Sequence, residues 1–117
     1  MSIYRSWEFT CNATKKQIDH LIALDECDFD NITFEDDANK FFGYGDTTSI
    51  GSYERIKEAL EEFASAYLKA SIFVKVQQEC ESVPYAFVVK EGKVREATGR
   101  ITFFFDDNNE EVNQNDY

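Results

Sequence analysis

The chain has 117 residues and a formal net charge of −11, from 23 acidic and 12 basic side chains. This balance argues against direct binding to DNA, RNA or an anionic membrane, because phosphate contacts require clustered lysine and arginine. A hydrophobic share of 43% and an aromatic share of 15% argue against disorder and are sufficient for the core of one domain.

Targeting and redox signals are few. No apolar run reaches the roughly 18 to 20 residues that span a bilayer, and residues 1–10 lack the basic and apolar regions of a signal peptide. Cys11, Cys27 and Cys80 are an odd number of widely spaced cysteines without a C-x-x-C motif. We therefore expect reduced thiols, a cytoplasmic location, no metal site and no membrane partner.

The first third predicts a strand followed by a short helix. Residues 3–11 alternate, with Trp7, Phe9 and Cys11 on one face, which is typical of a half-buried strand. Thr14 and Gln17 match a capping box and precede apolar residues at helical spacing, which predicts a helix over residues 13–24.

The middle third predicts two strands and the main helix. Residues 31–35 and residues 40–44 have strand-like alternation, and the Gly-Tyr-Gly-Asp run at residues 43–46 indicates a turn that ends the second strand. Ser52 is placed to cap a helix over residues 53–70, because apolar residues recur there at steps of three and four.

The last third predicts an antiparallel meander. Residues 72–77 and 85–89 are strand candidates, and the Glu91-Gly92 turn leads into a third, longer strand that ends at residue 105 with a bulge at Gly99. From Asp106 onward the hydrophobic pattern is lost. We therefore predict one α+β domain over residues 1–105 and a flexible acidic tail over residues 106–117.

The order of the first six elements predicts a ferredoxin-like βαββαβ fold. In that fold an antiparallel sheet carries two helices on one face, and here a C-terminal β-hairpin would extend the sheet. Such a fold does not by itself identify a function.

Acidic residues are the strongest candidates for a binding site. Residues 25–37 hold seven acids and no lysine or arginine, and glutamates four residues apart on the second helix lie about 6 Å from each other along its axis. That spacing approximates successive nucleic-acid phosphates and could engage arginine and lysine of a partner. The candidate contacts are Asp28, Asp30, Glu35, Asp36, Asp37, Glu58 and Glu62.

Two functional hypotheses follow. In general type the chain resembles the small acidic nucleic-acid mimics that phages and plasmids use against restriction and CRISPR enzymes. That resemblance implies an inhibitor or regulator that occupies the basic nucleic-acid-binding surface of another protein. The sequence shows no arrangement typical of a nucleophile or an acid–base pair, so we expect neither an enzyme nor a cofactor. The alternative is an assembly or small-ligand-binding module, homodimeric through its sheet, whose acids only keep the surface solvated. It depends on aromatic residues in excess of one core, among them Phe41, Phe42 and Tyr44.

Overall fold

The computed structural model describes residues 3–24, 29–37, 40–49, 52–79, 81, 83–99, 103–113 and 117, with the main chain alone for residues 3, 30 and 49. Within these residues a 3-10 turn, Phe29–Asn31, precedes the second of seven strands, and two α-helices are present. In chain order the elements are β1 (Ile3–Asn12), α1 (Lys15–Ile22), β2 (Thr33–Asp37), β3 (Lys40–Ser49), α2 (Tyr53–Ala66), β4 (Ser71–Gln78), β5 (Tyr85–Lys90), β6 (Lys93–Gly99) and β7 (Phe103–Phe105).

All seven described strands belong to one sheet. Their order is β2-β3-β1-β4-β5-β6-β7, and every neighbouring pair is antiparallel. Because successive side chains of a strand point to opposite sides, the sheet has two distinct faces. We call the face that carries Trp7, Val74 and Phe87 the first face, and the opposite face the second face.

The first face is covered by both helices. The predicted capping box of α1 is confirmed, since Thr14 Oγ1 accepts from the Gln17 amide at 3.2 Å and Gln17 Oε1 accepts from the Thr14 amide at 2.9 Å. In α2 the predicted apolar stripe is buried, and Ser52 Oγ accepts from the Arg55 amide. The stripe packs in one hydrophobic cluster with Trp7 and the other apolar side chains of the first face. Helix α2 ends at residue 66, four residues earlier than the periodicity predicted.

The predicted turn at residues 43–46 is wrong, because these residues lie inside β3. A Cβ atom on Gly43 would lie 2.5 Å from Cε1 of Phe34, and one on Gly45 would lie 2.9 Å from the main-chain oxygen of Asn31. Both glycines therefore allow β2 and the turn before it to pack closely against β3. The sequence signal for a turn here marks a close approach between two segments.

The single long strand predicted after residue 92 is also wrong. It is replaced by β6 and β7, which pair antiparallel, so the chain reverses direction between Gly99 and Phe103. The aromatic side chains of β7 alternate in burial, and Phe103 and Phe105 are buried on the second face. The alternation of apolar and polar residues changes at Gly99 because β6 ends there, and not because of a bulge.

The ferredoxin-like prediction does not describe this molecule and is corrected here. The fold is mainly one seven-stranded antiparallel sheet, and three strands lie beyond β4 where a two-stranded hairpin was predicted. The sequence pattern of the last third identified the strands but joined two of them, so the predicted sheet was too small. The molecule is a small β-rich fold.

Two apolar clusters lie on opposite sides of the sheet. On the second face Phe73, Val88 and Phe103 pack with Val112 and Tyr117, which are 4% and 6% exposed. The Val112 amide donates to the Phe103 oxygen at 2.8 Å. The described residues after Phe105 thus cover the second face over β4 to β7. Over β1 to β3 they make a polar contact, from Lys40 Nζ to the Tyr117 oxygen, and no apolar cover is present among the described residues.

Candidate functional site

Three exposed aromatic side chains lie on the second face over β1 and β3. Tyr4 is 41% exposed, Phe42 is 39% exposed and Tyr44 is 51% exposed. The register places Phe42 opposite Thr10, Tyr44 opposite Glu8 and Tyr4 opposite Thr48. Since directly paired residues point to the same side of a sheet, the three rings share one surface. We call this surface, formed by the second-face side chains of β1, β2 and β3, the open face.

Four exposed carboxylates lie among these rings. Glu8 comes from β1, Glu35 and Asp37 from β2 and Asp46 from β3, and each occupies a position whose side chain points to the second face. Three of them make side-chain contacts. Tyr44 Oη donates to Glu35 Oε1 at 3.3 Å, Ser6 Oγ donates to Asp46 Oδ1 at 3.0 Å, and Lys75 Nζ lies 3.2 Å from Glu8 Oε2.

The carboxylates also change the chemistry of a neighbouring phenol. A hydrogen bond to the Asp46 carboxylate raises the pKa of Tyr4, because the hydroxyl proton is shared with an anion. Two ammonium groups border the surface. Lys75 pairs with Glu8, and Lys40 Nζ donates to the main-chain oxygen of Tyr117 at 2.6 Å. The open face therefore has more negative than positive side chains, with hydrogen-bonding rings between them.

The structure separates the acids that the sequence grouped together. Glu35 and Asp37 lie on the open face, whereas Asp36 pairs with Phe41 and points to the first face. Asp36 lines a groove of about 530 Å³ together with Lys15 and Lys69. Asp28 and the side chain of Asp30 lie outside the described residues.

The helical candidates lie on a different side of the molecule. Glu58 and Glu62 are exposed on α2 and line a shallow groove of about 350 Å³ with Arg55 and Ala59. Helix α2 packs on the first face through Leu60 and its other buried residues, so its exposed side points away from the sheet. The open face and the two glutamates of α2 therefore lie on opposite sides of the sheet. One flat binding surface does not include both.

Five residues of the open face are not among the contacts predicted from the sequence: Tyr4, Glu8, Phe42, Tyr44 and Asp46. Aromatic alternation was visible in β1 and β3, and the alternative hypothesis did name Phe41, Phe42 and Tyr44 among excess aromatics. Of these three, Phe41 is 9% exposed and belongs to the core. If the second predicted strand had been extended through residues 43–46, strand alternation would have placed Phe42, Tyr44 and Asp46 on the same side of the sheet.

Reactive side chains are not concentrated at the open face. Cys11 is fully buried on the first face, and burial raises the pKa of its thiol to about 12. Among the described residues no group of three or more His, Cys, Asp or Glu side chains has the arrangement of a metal site. What the open face can do chemically is to bind, through aromatic contact and charge-assisted hydrogen bonds.

Comparison of the chain with protein-family models, with curated proteins and with solved structures found no match. In the described part of the chain neither helix has the length and apolar character needed to cross a membrane. The geometry of the open face is therefore the observation that bears on function.

Proposed function

We propose that this protein is a protein-binding inhibitor or regulator that presents its open face to a basic surface of a partner. The observation that supports this proposal is the combination of Tyr4, Phe42 and Tyr44, each at least 39% exposed, with four carboxylates on one sheet face. Aromatic rings supply contact area at the centre of protein interfaces, and carboxylates select a cationic surface.

The chemistry of the face favours arginine-rich partners. A guanidinium group can stack on an exposed ring and donate two parallel hydrogen bonds to the oxygens of a neighbouring carboxylate. Tyr44 and Glu35 offer this ring and this carboxylate side by side, because Tyr44 Oη donates to Glu35 Oε1 at 3.3 Å. A nucleic-acid-binding protein has such arginines in its phosphate-contacting groove, so competition with nucleic acid is the mechanism we propose for inhibition.

Assembly of two copies through the same face is the second candidate function. It is favoured by the exposed rings, which a partner copy would bury. It is opposed by charge, because two copies of a face that carries Glu8, Glu35, Asp37 and Asp46 repel one another. A molecular-mass measurement at low and high salt separates the two, since a homodimer through this face would become stronger as salt screens the repulsion.

Affinity capture tests the proposed function with two matched variants. The face variant carries Glu35→Gln, Phe42→Ser, Tyr44→Ser and Asp46→Asn, and the helix variant carries Glu58→Gln and Glu62→Gln. We expect the wild-type protein and the helix variant to recover the same nucleic-acid-binding protein from a lysate at low salt, and the face variant to lose it. Salt at about 0.5 M and added DNA or RNA should each reduce recovery. Loss in the helix variant together with retention in the face variant would contradict the proposal.

A further inference from the structure

A buried arginine lies on the first face, on the opposite side of the sheet from the open face. Arg5 is 2% exposed and sits in β1 between Thr47 of β3 and Gln78 of β4, its directly paired neighbours. Its Nε donates to Gln78 Oε1 at 2.8 Å, and its Cζ lies 5.2 Å from the ring centroid of Tyr53. The guanidinium is therefore held in one position by a neutral amide and an aromatic ring.

Two polar atoms of this cluster have unused hydrogen-bonding capacity. Arg5 Nη1 and Tyr53 Oη are both buried, and neither has a hydrogen-bond partner among the described residues. Burial, together with the negative charge of Glu81, raises the pKa of Tyr53 to about 12 against the opposing effect of Arg5, so the hydroxyl is protonated at neutral pH and can donate. Buried donors without an acceptor are unfavourable, and so is a buried positive charge without a counter-charge. A negatively charged acceptor would satisfy both groups.

The surroundings add to the same preference. Thr47 Oγ1 accepts a hydrogen bond of 2.7 Å from Trp7 Nε1, which leaves its own proton for another acceptor. Helix α2 begins at Tyr53, and the positive end of a helix dipole favours an anion. Glu81 is an acid beside this cluster: its carboxylate accepts from Gln78 Nε2 at 2.5 Å, and its charge acts on Tyr53.

We propose that Arg5 and Tyr53 form a binding site for a small oxyanion, a carboxylate or a phosphate group. Arg5 Nη1 and Tyr53 Oη would each donate one hydrogen bond to the oxygens of the ligand. Tyr53 and Gln78 are half-buried, so the cluster lies close to the surface. Because Arg5 Nη1 and Tyr53 Oη are themselves buried, a ligand reaches them by displacing the side chains that cover them. Because Glu81 lies at the same end of the sheet, its charge weakens the affinity, and a Glu81→Gln variant binds the ligand more tightly.

Side-chain NMR tests this site directly. The Arg5 Nε–Hε resonance and the Tyr53 ring resonances are followed while sodium phosphate, or in a second arm sodium acetate, replaces sodium chloride at constant ionic strength. We expect a saturable shift with one or both oxyanions, an affinity about fivefold lower in Tyr53→Phe and no saturable shift in Arg5→Met. The arm with the lower dissociation constant identifies the class of oxyanion.

The control is Arg55→Met, which removes an exposed arginine from the same helix. It should leave the saturable shift unchanged. Absence of a saturable shift in the wild-type protein with both salts would overturn the proposal, as would an unchanged affinity in Tyr53→Phe or loss of the shift in Arg55→Met. If Arg5→Met does not fold, the wild-type titration and the Tyr53→Phe affinity decide the question.

Discussion

Tyr44 and Glu35 lie on neighbouring strands, and Tyr44 Oη donates a 3.3 Å hydrogen bond to Glu35 Oε1. The bond joins the most exposed ring of the open face to one of its carboxylates, and it holds both groups at the surface. A hydrogen bond of this kind adds little to folding stability when both partners are exposed. It does orient a ring and an acid for contact with a cationic side chain.

Removal of two rings from the open face should affect binding more than folding. In the double variant Phe42→Ser and Tyr44→Ser we expect the free energy of unfolding to fall by less than about 1 kcal/mol, because both rings are exposed. The affinity for the captured partner should fall by at least about tenfold, as expected for aromatic residues at an interface centre. Urea unfolding followed by tryptophan fluorescence and titration calorimetry measure the two quantities.

Phe104→Ser is the matched control for this double variant. Phe104 is 44% exposed but lies on β7, at the far edge of the sheet from β2. Its replacement should leave affinity within about twofold of the wild-type value. Equal losses of affinity in Phe104→Ser and in the double variant would show that general surface hydrophobicity, and not the open face, determines binding.

The buried hydrogen bond between Trp7 and Thr47 predicts a coupled pair. Thr47→Val leaves the indole N–H without an acceptor and should lower the free energy of unfolding by about 1 to 3 kcal/mol. Trp7→Phe also removes core volume and should cost about 3 kcal/mol. In the double variant no partner remains unpaired, so its cost should be lower than the sum by about 1 kcal/mol or more. Additive costs, measured by urea unfolding, would contradict a shared bond.

Burial of Cys11 predicts a loss of stability at alkaline pH. The pKa of the thiol is raised from its ordinary value of 9.0 to about 12 in the folded protein. As the pH rises above about 9, the unfolded chain loses this proton and the folded chain keeps it, so the unfolded state becomes more favourable by about 1.4 kcal/mol per pH unit. The stability that burial of the neutral thiol contributes is thus complete below pH 9 and is lost toward pH 12.

The Cys11→Ala variant lacks this ionisable group. Its stability deficit relative to the wild-type protein should be largest near pH 8 and should shrink as pH rises from 9 to 11, in urea unfolding at each pH. Cys11 should also resist a thiol reagent until the protein unfolds, because the folded protein shields it from solvent. A deficit that does not change with pH would contradict the assigned cause.

Packing of the segment after Phe105 predicts an effect of Val112. Val112 is 4% exposed in the cluster with Phe73 and Phe103, so Val112→Ser should lower the free energy of unfolding by about 2 kcal/mol. The adjacent Glu111 is exposed, and Glu111→Gln should change it by less than about 0.5 kcal/mol. If residues 106–117 instead form a flexible tail, Val112→Ser will behave like Glu111→Gln in urea unfolding.

The periodicity of apolar residues correctly predicted the helices and strands that bury one side against the core. The stripe of α2 and the alternation of Trp7, Phe9 and Cys11 in β1 each reflect burial against the first face, and the structure places them there. The capping box of α1 was predictable because Thr14 and Gln17 satisfy main-chain donors within one turn. Local patterns of this kind depend on neighbours that are close in sequence.

The open face was harder to predict because it depends on pairing between distant segments. Gly43 and Gly45 indicated a turn, but they serve close packing against Phe34 and Asn31, contacts that no local pattern encodes. Asp36 and Asp37 are adjacent in sequence and point to opposite sides of the sheet once β2 forms. Acidity alone could not assign the acids to faces, since charge count is independent of strand register.

The most direct measurement is a titration of the protein with its captured partner, followed through the aromatic proton–carbon resonances. We expect the ring resonances of Tyr4, Phe42 and Tyr44 to shift or broaden on complex formation and to recover in high salt. Resonances near Glu58 and Glu62 should be unchanged at the same ratio. Perturbations confined to α2, with unchanged resonances for the three rings, would contradict the claim that the open face is the binding surface.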